Sequence, residues 1–155
     1  MSPLQELRFL ILAAQRTGSR AMSAVLKPLG LTPAQAEVLQ VLAEFGPITL
    51  RTLGALLICE TGSPSRLAAG LVDRGLVGRL AVDEDRRAVL LCLTPAGETL
   101  LARAAEVEST LAKLIASAVT NEEITTLTAG LRKLADRRPR APLHRSATSR
   151  SRRER

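Results

Sequence analysis

The chain has 155 residues, enough for one domain with a proper core and hardly for two. Hydrophobic residues make up 46%, but only two are Phe and there is no Trp or Tyr. Leu, Val, Ile and Ala must build the interior, which favours closely packed helices and argues against stacking readers of single-stranded nucleic acid. The formal charge of +7 is lopsided: from Asp136 to Arg155 there are eight Arg against Asp136 and Glu154, a net of +6, while residues 1–135 carry 14 basic and 13 acidic side chains, a net of +1. Net charge alone therefore does not establish affinity for DNA.

Ser2-Pro3-Leu4-Gln5 holds both halves of a capping box, with Pro at the first helical position. Leu4, Leu7, Ile11 and Ala14 recur at helical spacing, and Met22, Val25, Leu26 and Leu29 resume the pattern before Gly30. One long helix is expected, with a bend allowed at Gly18. Thr32-Pro33-Ala34-Gln35 repeats the start signal, and Val38, Leu39, Val41, Leu42 and Phe45 follow up to Gly46-Pro47. Thr49 can cap a third, shorter helix with Leu53, Leu56 and Leu57 on its inner face. Ile58 to Gly62 makes a turn, Ser63 caps a fourth helix with Pro64 in its first position, and Gly75 closes it. Two apolar runs follow, Leu76 to Val82 and Ala88 to Leu93, joined by Asp83-Glu84-Asp85-Arg86-Arg87. That is a hairpin whose tip is too charged to bury. A capped helix followed at once by a charged hairpin outlines a winged helix, and helices two to four supply the helix-turn-helix.

Thr94-Pro95 then opens a long helix to about Ala118, with the stripe Leu100, Leu101, Ala104, Val107, Leu111, Leu114 and Ile115. Thr120-Asn121-Glu122-Glu123 is another capping box, and Ile124, Leu127, Leu131 and Leu134 mark a final helix. Beyond Arg138 there is little to bury, and a disordered tail is expected. The fold class is mostly α with a small β-hairpin. A single domain over 1–137 contains a winged-helix core at about 32–94, flanked by long helices at about 3–29 and 95–137, and a basic tail occupies 138–155. The small core cannot cover the apolar faces of the long helices. A second copy would, so a homodimer held by its terminal helices is expected.

Recognition by the fourth helix would use its first turns: Ser63 at the tip, Pro64, then Ser65, Arg66 and Ala69 outward, with Leu67, Leu71 and Val72 inward. Ala68, Ala69 and Gly70 would keep the outer face slim. An ordinary surface helix with a good cap shows the same pattern; the adjoining hairpin is what favours recognition. At the tip, Arg86 and Arg87 are flanked by three acids, as a solvated, mutually neutralised turn would be. The sharper reading puts Arg87 in a narrow minor groove with Asp85 holding it, Arg86 on a phosphate, and Arg79 as a further phosphate candidate.

Leu31-Thr32-Pro33, Ser65-Arg66-Leu67, Asp73-Arg74-Gly75-Leu76-Val77, Asp85-Arg86-Arg87-Ala88-Val89 and Leu93-Thr94-Pro95-Ala96-Gly97, in that order, resemble the MarR family over about residues 4–137. The resemblance implies a homodimer with interlocked terminal helices, each subunit offering one winged helix to a pseudo-palindromic double-stranded DNA operator. It implies that Arg87 enters the minor groove, that Asp85 orients it, and that the helix starting at Ser63 reads the major groove. It also implies a repressor answering to a small aromatic or phenolic ligand, for whose carboxylate Arg16 or Arg20 is available. Two departures stand out: a longer turn from Leu57 to Ser63, and the Arg-rich tail, which would either neutralise phosphates or only solubilise.

Cys59 and Cys92 make no disulfide framework. Cys59, in the turn before the reading helix, would be the place for an oxidant-sensing variant of the same function; Cys92, on a strand, is expected in the core. The only histidine, His144, lies in the tail, and no metal-ligand spacing or phosphate loop is present, so no cofactor and no catalysis are expected. Without a secretory leader or a membrane-length apolar run, a cytoplasmic location is expected. The alternative from another class is a protein-interaction winged helix whose tail does generic electrostatic work.

Overall fold

The computed structural model describes residues 2–58, 63–82 and 85–135, in two compact units that divide between Thr120 and Asn121. Helix α1 (Pro3–Leu26) starts where the sequence places it: the Ser2 hydroxyl accepts the Gln5 N–H at 3.4 Å, and Gln5 Oε1 accepts the Ser2 N–H at 2.8 Å. Gly18 does not interrupt it. It ends before the expected point because Pro28 brings no N–H to an α-helical turn. A single 3₁₀ turn, Lys27–Leu29, takes over and stops at Gly30, whose φ is 65°.

The same reciprocal cap, Thr32 with Gln35, opens α2 (Pro33–Phe45). This helix is the centre of the core, burying Ala34, Ala36, Val38, Leu39, Val41 and Leu42. Phe45, expected on that inner stripe, lies on the surface in the last turn. A two-residue strand, β1 (Ile48–Thr49), precedes α3 (Leu50–Leu56); the Thr49 hydroxyl caps α3 by accepting the Thr52 N–H at 3.1 Å. Leu53 is fully buried, with Leu56 and Leu57 partly so.

Helix α4 (Pro64–Asp73) leads into β2 (Val77–Val82) and β3 (Asp85–Leu93), and the antiparallel sheet runs in the order β1-β3-β2. Helix α5 (Pro95–Ala116) completes the first unit, two residues short of the expected Ala118, and sends Ala104 into the core. The second unit carries α6 (Asn121–Ala135), whose Ile124, Leu127, Leu131 and Leu134 are exposed. Every buried residue described is apolar, and burial of each large one stabilises by about 1.5–3 kcal/mol.

Two joints fix the winged helix to its surroundings. At the end of α4, the Gly75 N–H donates to the Val72 carbonyl at 2.8 Å and the Leu76 N–H to the Leu71 carbonyl at 2.9 Å. This closing motif needs the left-handed φ of 69° that glycine supplies at position 75. Arg74 Nη1 donates to the Gly30 carbonyl at 2.8 Å, tying the turn after α4 to the turn before α2. At the start of α5, the Thr94 hydroxyl donates to the Gly75 carbonyl at 2.7 Å and accepts the Gly97 N–H at 3.1 Å. A Cβ at Gly97 would stand 2.1 Å from the Leu76 carbonyl oxygen, so only glycine allows this approach.

Candidate nucleic-acid interface

Helices α3 and α4 close on each other where Gly54 meets Pro64: a Cβ at Gly54 would lie 3.3 Å from Pro64 Cγ. Pro64, at the first position of α4, thus anchors the helix as well as starting it. Ser63 occupies the cap position with extended backbone, but its side chain accepts no backbone N–H. Instead its hydroxyl pairs with that of Ser65, so the expected Ser63 cap is absent, and the local reason is this competing hydroxyl two residues on.

Ser63, Ser65 and Arg66 are exposed, and Pro64 and Ala69 are half-buried. Ala68, expected on the slim outer face, is instead in the core with Leu71; α4 packs against both α2 and α3. The outward edge therefore consists of Ser65, Arg66, Ala69 and the flanking Gly70.

On the hairpin, Arg79 is exposed on β2 opposite Leu91. The register then breaks. Ala81 faces Val89, but Val82 faces Asp85, leaving residues 86–88 of β3 as a bulge. Asp85, Arg86 and Arg87 therefore belong to the strand backbone rather than to the connecting tip expected from the sequence. Their side chains, and Asp83 and Glu84 altogether, lie outside the described residues, as do Cys59, the rest of the turn 59–62 and the tail 136–155.

Cys92 is half-buried rather than in the core: it pairs across the sheet with Gly78, where a Cβ would come within 3.2 Å of its Sγ. It also borders an open cavity of about 520 Å³, walled by Leu42, Gly46, Pro47, Leu93, Glu98 and Leu101, between α2 and α5. Neither Arg16 nor Arg20 lines it. The cavity leaves one trace in the sequence, Gly46-Pro47, which stops α2 short of the sheet. On α5, burial raises the Glu108 carboxyl above the usual carboxylate range. Among the described residues, no three His, Cys, Asp or Glu side chains cluster to hold a metal, and no helix is long and apolar enough to cross a membrane.

A family profile described as the MarR family matches residues 29–88, from the turn after α1 to the bulge in β3. A crystal structure of a mutant MarR from E. coli complexed with operator DNA superposes with a TM-score of 0.76 at 29% identity, covering 86% of this chain and 99% of that one. In both sequence profile and fold the chain resembles the MarR family. The organic hydroperoxide resistance transcriptional regulator of Bacillus subtilis (strain 168) is 28% identical over 106 residues, 68% of this chain and 72% of that protein. BpsR of Bordetella bronchiseptica, whose structure concerns regulation of DNA binding by 6-hydroxynicotinic acid, shares the fold with a TM-score of 0.76 at 22% identity over 84% of this chain and 99% of that one. The MarR resemblance carried by the five sequence segments is therefore correct, and Gly75, Arg74, Thr94 and Gly97 in those segments are the residues that make the two joints of the fold.

Proposed function

We propose that this chain is a sequence-specific double-stranded DNA-binding regulator of the MarR family. It acts as a homodimer that represses from a pseudo-palindromic operator and answers to a small aromatic or phenolic ligand. The observation that carries the reading is the exposed Ser65–Arg66 edge of α4, joined through the Gly75 turn to a hairpin whose bulge bears Arg86 and Arg87. In this reading α4 enters the major groove, where the short Ser63 and Ser65 side chains and the half-buried Pro64 and Ala69 keep its leading edge low enough for Arg66 to reach a base edge or phosphate. Arg87 enters the adjacent minor groove with Asp85 orienting it, and Arg86 and Arg79 meet phosphates.

The dimer reading is supported by α1, which buries only Leu26 and leaves Leu4, Leu7, Phe9, Leu10 and Leu12 exposed. An apolar surface of that extent on a helix calls for a partner, and a second copy brings the same need. The cavity between α2 and α5 is the place for an apolar effector, since its walls are chiefly aliphatic. The role of Cys59 as an oxidant sensor stays a variant of this function, tested by comparing Cys59→Ser with the native chain under hydroperoxide.

Fluorescence anisotropy with duplex fragments at two salt concentrations tests the reading. Arg87→Ala should weaken binding to a preferred sequence by roughly tenfold or more, as loss of a specific contact does. Truncation after Arg138 should flatten the salt dependence while leaving sequence preference intact. A truncated chain with no preference, together with an unaffected Arg87→Ala, would leave a protein-interaction module with a generic basic tail.

A further inference from the structure

Five glycines lie within the described helices, at positions 18, 54, 70, 97 and 130. Glycine weakens a helix relative to alanine, so each calls for a compensating reason. Two reasons are internal: Gly97 clears the Leu76 carbonyl and Gly54 clears the Pro64 ring. At Gly18, Gly70 and Gly130 an added Cβ would meet nothing within 4 Å. Gly18 and Gly130 fall on α1 and α6, the helices with exposed apolar stripes. Gly70 falls on α4, one helical turn after the exposed Arg66 and on the same edge. Nothing among the described residues needs a bare backbone there, and alanine would fit and strengthen the helix.

We propose that Gly70 is a close-approach point for operator DNA: one sugar–phosphate strand passes against the bare backbone of α4 at Gly70, beside the phosphate or base edge met by Arg66. The missing side chain sets how deeply α4 seats in the groove, which makes Gly70 a specificity-determining position without a hydrogen bond of its own. The low neighbours Ser65 and Ala69 continue the same edge. This inference rests on the DNA-binding reading above.

The test uses the full chain, the tightest duplex it selects from a randomised pool, and an unselected duplex of equal length. Thermal unfolding and anisotropy are measured for Gly70→Ala and Gly70→Leu. Gly70→Ala should melt about 2–4 °C higher than the native chain, by its helix propensity. It should nevertheless bind the selected duplex roughly tenfold more weakly, the scale of one lost base contact, with Gly70→Leu weaker still. Binding to the unselected duplex should change little. Native affinity of Gly70→Ala for the selected duplex, with Arg87→Ala impaired, overturns the inference and leaves the DNA-binding reading standing. Failure of the native chain to select any duplex removes both.

Discussion

Thr94 sits where three elements meet: its hydroxyl holds the carbonyl of Gly75 at the end of α4 and the amide of Gly97 in the first turn of α5, while its own N–H donates to Leu76 at the start of the hairpin. Gly97 makes that junction possible by letting α5 approach the Leu76 carbonyl. Gly97→Ala should therefore cost about 1–3 kcal/mol, the usual penalty for overpacking, read as a lower midpoint in urea. Glu108 gives a second test at this scale. Burial raises its folded-state carboxyl, so its contribution to stability is fully present below the unfolded carboxylate pKa and is lost as pH rises through the higher folded value. Glu108→Gln should accordingly melt above the native chain at neutral pH, and melting curves across the acid range should show the gap closing as Glu108 becomes protonated. The caps at Ser2 and Thr32 were legible in sequence because both partners lie within four residues. The Ser63 side-chain cap does not form because Ser65 offers its hydroxyl a nearer partner.

At the scale of elements, long helices announced themselves through apolar spacing, and α1, α2, α5 and α6 begin where capping residues put them. Strand β1 did not, since two residues show no alternation, and its pairing of Ile48 with Leu91 is a long-range event. The hairpin was legible, but its bulge was not: the run of charges at 83–87 looks like a loop, whereas the backbone keeps Asp85 in register with Val82 and extrudes the next three residues. That bulge matters for the proposed site because Arg86 and Arg87 lie within it. The inner face of α4 was phased from its leucines. Ala68 is not marked in the sequence, because a small side chain gives no hydrophobic signal strong enough to define a face, although it is buried in the core. Gly54 is unmarked for a similar reason; only the position of Pro64 across from it shows why it is glycine.

On the scale of the whole molecule, a nearly neutral body carries a basic tail, and the first unit presents an N-terminal helix whose outer residues have no partner within the described chain; Leu4 alone is 76% exposed. A second copy is the proposed cover. Light scattering after size exclusion should give twice the 16.6 kDa of one chain, and Leu7→Glu combined with Leu10→Glu should shift it towards one chain by placing charge in that interface. Two winged helices joined in this way can meet one face of a duplex only at half-sites about one helical turn apart. A hydroxyl-radical footprint of the native chain on its selected duplex tests that geometry most directly. Two symmetric protected patches about 10 base pairs apart centre to centre are expected, each pairing a major-groove contact with an adjacent minor-groove one. A single unpaired patch, or even protection along the whole fragment, would contradict it.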